Sequence, residues 1–374
     1  MADAARIFLL AGEASGDRIG AELIKHLRVV RAVTPLGVGG PELEGEGLKS
    51  LFPMSDLSVM GFADVLARLP LLLWRARQTS RAILELKPDL VILIDSQVFS
   101  ATVAKQVRKA GYTGKMLLYV APSVWAWKPE RAPALRPLFD EVLAVLPFEP
   151  AAMQRLGGPP TSYVGHPALE HTTLRRTQPT KGPLLLLPGS RTGEIRRHLP
   201  IMRAVANALR DHPRVSGFVL PTTGTQEARV VEAISAWETP VFVTSAANAK
   251  RQAFADAVGA VAVSGTITLE LALSGVPMVV VYVADGGQIR RWKAVGSPPI
   301  SLPNILARSN LVPEVVGGEA QPEAAVSDIE MLIGNPTLLA HQQAGFAAIR
   351  AEMEKGAPEA PLVDPVQRVL ANLP

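Results

Sequence analysis

The sequence predicts an α/β protein of two facing Rossmann-like domains followed by a C-terminal helical tail. Three observations carry this. Short apolar runs alternate with helical patterns, as in parallel sheets wound by crossover helices. The alternation pauses over residues 157–183, a stretch rich in Pro, Gly and Thr that reads as an interdomain linker, and then restarts. The 374 residues also exceed one ordinary domain. The expected division is 1–165, 166–345, and a helical 346–374 that crosses back onto the first domain.

In the first half, Arg6–Ala11 reads as a strand, and the glycine-spaced run from Gly12 to Gly20 turns into a helix through Leu23, Ile24 and Leu27. Thr34–Val38 is a second strand, closed by Gly39-Gly40-Pro41. Leu90–Ile94, closed by Asp95-Ser96, is the third; Met116–Val120 and Glu141–Val145 are the fourth and fifth. The apolar segment Met60–Leu86 is interrupted by Arg68, Arg75, Arg77 and Arg81, and Pro70 argues against one unbroken helix. Two readings stay open. It is a core element with basic outer positions, or a surface that inserts Leu69, Leu72, Leu73 and Trp74 into a bilayer interface with Arg75 and Arg77 on the headgroups. In the second half Leu184–Leu187, Gly217–Leu220, Val241–Val243, Ala260–Val263 and Met278–Tyr282 are strand-like. Helical patterns then cover Pro322–Ile333, Pro336–Glu354 and Val363–Leu373.

Composition narrows the classes. With 48% hydrophobic and 19% charged residues, the chain can fill packed cores. It has no cysteine, so disulfides and thiolate metal sites are excluded and a reducing compartment is expected. The six histidines lack ligand spacing, and no metal or cofactor is expected. A net charge of +4 is too small to argue for nucleic acid and fits an anionic small molecule or membrane surface. No run approaches the roughly 20 apolar residues a membrane-spanning helix needs, and the N-terminus has no signal-peptide pattern. The expectation is a cytoplasmic protein, peripheral at a membrane.

Two motifs suggest a phosphate site. Leu187-Pro-Gly-Ser-Arg-Thr-Gly-Glu194 follows an apolar strand and opens a helix, where converging backbone N–H groups favour an anion. Arg191 adds a planar fork of donors suited to a diphosphate. Ser264-Gly-Thr-Ile-Thr-Leu-Glu270 repeats the arrangement after the run Ala260–Val263. Two such turns in one half of the chain suggest one nucleotide site at the carboxyl edge of a parallel sheet. Glu194 reads as a capping carboxylate or an orienting partner of Arg191. The first glycine loop is Gly-x-x-x-Gly-x-x-x-Gly rather than a dinucleotide fingerprint, so a nicotinamide cofactor is disfavoured.

Taken together and in order, the motifs resemble the lipid-A-disaccharide synthase family. The matching blocks include Ala11-Gly-Glu-Ala-Ser-Gly-Asp17, Gly37-Val-Gly-Gly-Pro41, Val59-Met-Gly-Phe62, Ala121-Pro-Ser-Val-Trp-Ala-Trp127, Leu146-Pro-Phe-Glu-Pro150, Leu187-Pro-Gly-Ser-Arg191, Ser264-Gly-Thr266 and Ser301-Leu-Pro-Asn304. The resemblance implies a two-domain glycosyltransferase of the GT-B type. It moves 2,3-diacylglucosamine from UDP to the 6-hydroxyl of 2,3-diacylglucosamine 1-phosphate, with inversion, at the inner face of the cytoplasmic membrane. It also distributes roles. Arg191 stabilises the leaving diphosphate, with Gly189, Ser190, Gly265 and Thr266 on the phosphates, Glu270 on the ribose and Asn304 on the nucleotide side. Asp95, at a strand end, is the candidate base for the attacking hydroxyl, a turn-forming Asp being the plain alternative. Glu13, Ser15, Asp17, Met60, Ser123 and Trp125 fall on the acceptor side. Thr266 can instead cap its helix, Glu270 can be solvated, Asn304 can serve the turn, and Trp125 can be packing.

Departures from the family pattern are also visible. Where an Asp-x-Pro-Asp-Phe-Asn block is usual, this chain has Asp95-Ser-Gln-Val-Phe-Ser100, so Val98 replaces the second carboxylate. A glutamine usual after Pro313-Glu314 is Gly317. Two other functions stay open: a UDP-sugar 2-epimerase of the same fold, and a non-catalytic nucleotide-sugar or lipid binding protein. A homodimer through the apolar tail is a further option.

Overall fold

The computed structural model describes residues 4–57, 62–175 and 177–374, with the backbone alone for 62–67. The chain divides into two compact units, one of residues up to Pro167 together with Met353–Pro374, the other Ala168–Glu352. Each is built on one six-stranded sheet.

In the first unit β1 (Ala5–Ala11), β2 (Val33–Val38), β3 (Leu90–Ile94), β4 (Met116–Tyr119), β5 (Glu141–Ala144) and β6 (Thr161–Tyr163) form the order β2-β1-β3-β4-β5-β6. Every neighbouring pair is parallel. Such a sheet needs both faces covered, and Ile7–Ala11 and Leu90–Ile94 are accordingly buried without alternation. β1 and β2 approach so closely at Gly37 (φ +123°) that a Cβ there would stand 1.9 Å from the Leu9 carbonyl oxygen. Only glycine fits that position.

In the second unit β7 (Gly182–Leu187), β8 (Val215–Pro221), β9 (Val241–Thr244), β10 (Gly259–Val263), β11 (Met278–Val283) and β12 (Glu314–Gly317) run β12-β11-β10-β7-β8-β9, again all parallel. Its core gathers Leu184, Leu186, Val261, Val279 and Val281 from the sheet with Ile201, Val205 and Ile329 from the helices.

The fold corrects several expectations. The stretch 157–183 is not a bare linker, because β6 and the short helix Ala168–His171 lie in it. β12 was also missed; both strands are too short for alternation to register. Phe62–Leu86 is one helix with Pro70 inside it. Pro70 sits on the exposed stretch 68–70. The tail forms helices Pro336–Lys355 and Pro365–Asn372, joined through a two-residue antiparallel pair. The last helix buries Val366 and Val369 on the first unit, so its apolar face is satisfied within its own chain.

One carboxylate holds that tail. Glu141, its side chain 5% exposed, accepts both nitrogens of Arg368 at 2.8 Å, the Ser162 hydroxyl at 2.6 Å and the Asn372 amide at 2.9 Å. Burial alone would raise its pKa, but Arg368, Ser162 and Asn372 together hold it below the ordinary glutamate range. A depressed pKa stabilises the fold fully above the unfolded value, and that stability is lost as pH falls through the folded one. Arg368→Ala should therefore cost about 3 kcal/mol at neutral pH, because it strands a buried charge. Thermal melts from neutral to acid pH should show the variant's deficit shrinking as Glu141 protonates; a deficit unchanged with pH would mean that Arg368 acts by packing alone.

Candidate active site

In the second unit the strand order reverses between β7 and β10, the place where open α/β sheets leave a crevice. A pocket of about 360 Å³ lies there. Its walls are the turns after β7 (Gly189, Ser190, Arg191), after β8 (Thr222, Thr223) and after β10 (Ser264, Gly265, Thr266), with Glu194, Lys250 and Glu270. Six of the seven residues expected on the nucleotide side thus share one pocket, and Asn304 stands apart from them.

Each turn has a local cause. Gly189 has φ +106°, and a Cβ there would lie 2.7 Å from that of Glu194. Arg191 is the N-cap of the helix Thr192–Leu209. Glu194, in the helix's first turn, accepts the N–H groups of Ser190 at 3.2 Å and Arg191 at 3.3 Å, and pairs with the Arg191 guanidinium at 3.0 Å. It therefore fills both roles anticipated for it, cap and orienting partner. The backbone donors of this turn are engaged by the protein's own carboxylate, while the Arg191 side chain stays 65% exposed with donors to spare. The helix Thr266–Leu273 begins differently: Gly265 is the N-cap and no side chain caps it. Thr266 is its first residue rather than its cap, and its helix end opens on the pocket.

Glu270 is not a solvated helix residue, for it meets the Lys250 ammonium at 2.7 Å. Lys250, Thr222 and Thr223 were not anticipated. The threonines carried a usable signal, a polar pair closing the strand Gly217–Leu220; Lys250, on the helix Ala247–Asp256, carried none. Asn304 is 2% exposed and spent on structure. Its amide donates to Val312 O at 2.9 Å and Glu314 Oε1 at 2.8 Å and accepts the Val312 N–H at 2.8 Å. The expected nucleotide-side role fails because no polar atom of the side chain is left over. At the end of β12, a side chain on Gly317 would meet the Gln321 amide, 2.2 Å from its Cβ.

Behind the pocket, buried His198 spans two elements. Val283 N–H donates to Nε2 at 2.8 Å, so Nδ1 carries the proton and donates to the Glu194 carbonyl at 2.7 Å. Burial lowers its pKa, which suits a neutral ring. It ties the helix that carries Arg191 to β11.

In the first unit the strand order reverses between β1 and β3. The loops that follow them touch, since a Cβ on Gly12 would come within 2.0 Å of Ser96 Oγ. Asp95 (φ +53°) and Ser96 (φ +42°) are consecutive left-handed residues, a strained turn of the kind that clusters at functional sites. Tyr119 O and the Ser100 hydroxyl hold the Asp95 backbone at 2.9 Å each. Burial raises the Asp95 pKa, opposed in part by the Ser96 N–H. No ion pair engages its carboxylate among the described residues. Glu13 and Ser15 are exposed after β1, and Ser123 is exposed after β4.

Trp125 is half-buried, packed edge-to-face on Phe148, and its indole N–H donates to Glu149 at 3.3 Å. Glu149, 2% exposed, also accepts the N–H groups of Val145 and Leu146. Burial pushes its pKa up to about 7. This carboxylate went unassigned in the sequence although the Leu146-Pro-Phe-Glu-Pro150 block contained it. Asp17 is corrected. It is 1% exposed and accepts the N–H groups of Gly40, Glu42 and Leu43 at 2.8, 3.0 and 3.2 Å, so it caps the turn after β2 instead of facing an acceptor. Met60 lies outside the described residues.

On the helix Phe62–Leu86, Leu69, Leu73 and Trp74 are 42%, 43% and 53% exposed, and Arg77 is exposed beyond them. Leu72 instead packs on the core. Arg75 turns inward, paired with Asp56 at 2.6 Å and stacked over Phe52 and Trp74, and so is unavailable to a headgroup. No helix of the described residues is long and apolar enough to cross a membrane, and none of their acidic and histidine side chains cluster to hold a metal ion.

Known proteins with the same features fall into one family by sequence and several by fold. The family model for lipid-A-disaccharide synthetase matches residues 7–360. A lipid-A-disaccharide synthase of Rhodopseudomonas palustris (strain ATCC BAA-98 / CGA009) is 41% identical, over 92% of this chain and 90% of its own. Among solved structures, the glycotransferase of kitacinnamycin superposes with a TM-score of 0.61 at 16% identity, covering 99% of this chain and 100% of that one. A UDP-GlcNAc 2-epimerase from Neisseria meningitidis, bound to UDP-GlcNAc, gives 0.57 at 12% identity, covering 93% and 97%. The shared fold thus spans transferases and epimerases, and the sequence match separates them: the chain belongs to the lipid-A-disaccharide synthetase family.

Proposed function

We propose that the two switch-point edges divide the labour of glycosyl transfer in lipid A disaccharide synthesis, the function of this chain. The donor is UDP-2,3-diacylglucosamine, and its diphosphate lies between Arg191 and the uncapped end of the helix Thr266–Leu273. The acceptor is 2,3-diacylglucosamine 1-phosphate, and Asp95 takes the proton from its 6-hydroxyl. The observation that carries this reading is the shared pocket of Gly189, Ser190, Arg191, Gly265, Thr266 and Glu270 at the second switch point. Arg191 supplies mobile positive charge where the leaving group gains negative charge. The Lys250–Glu270 pair fixes the carboxylate that would hold the ribose hydroxyls. Glu13, Ser15, Ser123 and Trp125 follow β1 and β4, the neighbours of the strand that ends in Asp95, and they supply the acceptor side.

The enzyme works at the inner face of the cytoplasmic membrane, where both acylated substrates reside. Leu69, Leu73 and Trp74 enter the interface, and Arg77 meets the headgroups.

Arg191→Ala should lower turnover about a hundredfold or more while leaving the fold intact, as loss of a single transition-state donor does elsewhere. A loss of only a few-fold in UDP release would put the diphosphate elsewhere. A raised pKa keeps a base protonated to higher pH, so the acid limb of kcat/KM should lie above the ordinary carboxylate range. Asp95→Asn should abolish acceptor-dependent UDP release. Glu149→Gln should keep the limb; if the limb vanishes there instead, Glu149 is the titrating group. Leu69→Glu with Leu73→Glu, two exposed leucines, should release the protein from anionic vesicles without altering its melting temperature, and unchanged co-sedimentation would remove this face from the membrane contact.

A further inference from the structure

The second unit carries another concavity, which begins at Thr192 beside Arg191 but shares no lining residue with the donor pocket. It is a groove of about 660 Å³ between the helix Thr192–Leu209 and the helix Gly224–Ile234 with the turn beyond it. Its trough is apolar, with Leu199, Pro200 and Ala204 from the first helix and Ala233 and Trp237 from the second side, while Thr192 and Asn207 also border it. Leu199 and Trp237 rest on the sheet core beneath, so the floor is fixed. Alanines at 204 and 233 keep it open where larger side chains would fill it.

Three arginines border the same groove, Arg196, Arg203 and Arg229, and no acidic residue does. Arg229 donates to Thr192 and to Gln226. Arg196 and Arg203 are exposed and meet no hydrogen-bond or ion-pair partner among the described residues. Arg196, Pro200 and Ala204 follow one another at four-residue spacing on the first helix, as Arg229 and Ala233 do on the second, so each helix brings a cation and apolar surface to the groove on one face. Three cations over an apolar trough, with no internal counter-charge, complement a ligand that is both anionic and apolar. The volume falls in the range of small-molecule sites.

We propose that this groove is a binding site for an anionic membrane lipid. One acyl chain lies along Leu199, Ala204, Ala233 and Trp237, and the headgroup phosphate is held by Arg196, Arg203 and Arg229. The site is distinct from the phosphate turn, which uses Arg191.

The test is calorimetric titration of the full chain with dodecyl phosphate below its micelle concentration. Dodecyl maltoside supplies the same chain with a neutral headgroup, and inorganic phosphate supplies the anion alone. Dodecyl phosphate should bind once per chain, at least about tenfold tighter than either control. Arg196→Ala with Arg203→Ala, two exposed residues without partners, should weaken it about tenfold or more at an unchanged melting temperature. Ala233→Phe should block it by filling the trough. Arg191→Ala should leave it unchanged, which separates the groove from the donor pocket. Equal binding of dodecyl maltoside or of inorganic phosphate, full retention in the double arginine variant, or loss in Arg191→Ala would each overturn the proposal.

Discussion

The constraint beneath everything else is that both sheets are parallel throughout and covered on both faces. Ile7–Ala11, Leu90–Ile94 and Gly259–Val263 are buried at every residue. A strand of this kind offers a ligand nothing along its length; its polar groups reach solvent only at its ends. The crossover helices then give the two ends opposite characters. At the carboxyl ends, chain leaves a strand for a helix N-terminus, where N–H groups and positive potential collect. That geometry accounts for Gly189 and Gly265 standing where they do, and for backbone strain at Asp95-Ser96.

The carboxylates of the first unit sort by the same polarity. At the amino end of β5, Asp140 pairs with Arg108 and Lys115, and Glu141 pairs with Arg368. Burial opposes ionisation at both, yet their cationic and N–H partners hold both below the usual range. At the carboxyl ends, Asp95 and Glu149 meet no cation among the described residues, and burial leaves both raised. One end of the sheet is built from neutralised charge that holds the tail in place. The other keeps two carboxylates without a cation, whose pKa values burial raises.

The legible part of the sequence was the part ruled by strand ends. Leu187–Glu194 and Ser264–Glu270 each show an apolar run, glycine and a helix start, and those local signals brought six residues to one pocket. What stayed illegible depended on tertiary partners. Arg75 reads as a headgroup ligand until Asp56 and Phe52 fold against it. Asn304 reads as a ligand contact until Val312 and Glu314 consume its amide. Lys250 lies 20 residues from the carboxylate it meets, with no spacing to announce it. Pro70 broke the predicted helix because a propensity argument cannot see that its neighbours face water.

On the proposed reading, the half that takes the donor is the less discriminating one. A glycotransferase and a 2-epimerase share the fold at 16% and 12% identity, so the fold by itself does not select a reaction. On that reading selection falls to the first unit's edge, and there this chain carries its sharpest departure. Val98, in place of a second carboxylate, is 74% exposed in the first turn of the helix Gln97–Lys109. An exposed valine costs little but accepts no proton. The block is left with one carboxylate, Asp95, fixed by Tyr119 and Ser100 in a left-handed turn that a freely moving side-chain carrier would not need. Since strain of this sort persists only where the surroundings enforce it, the fold specifies the backbone position from which the block's remaining carboxylate projects.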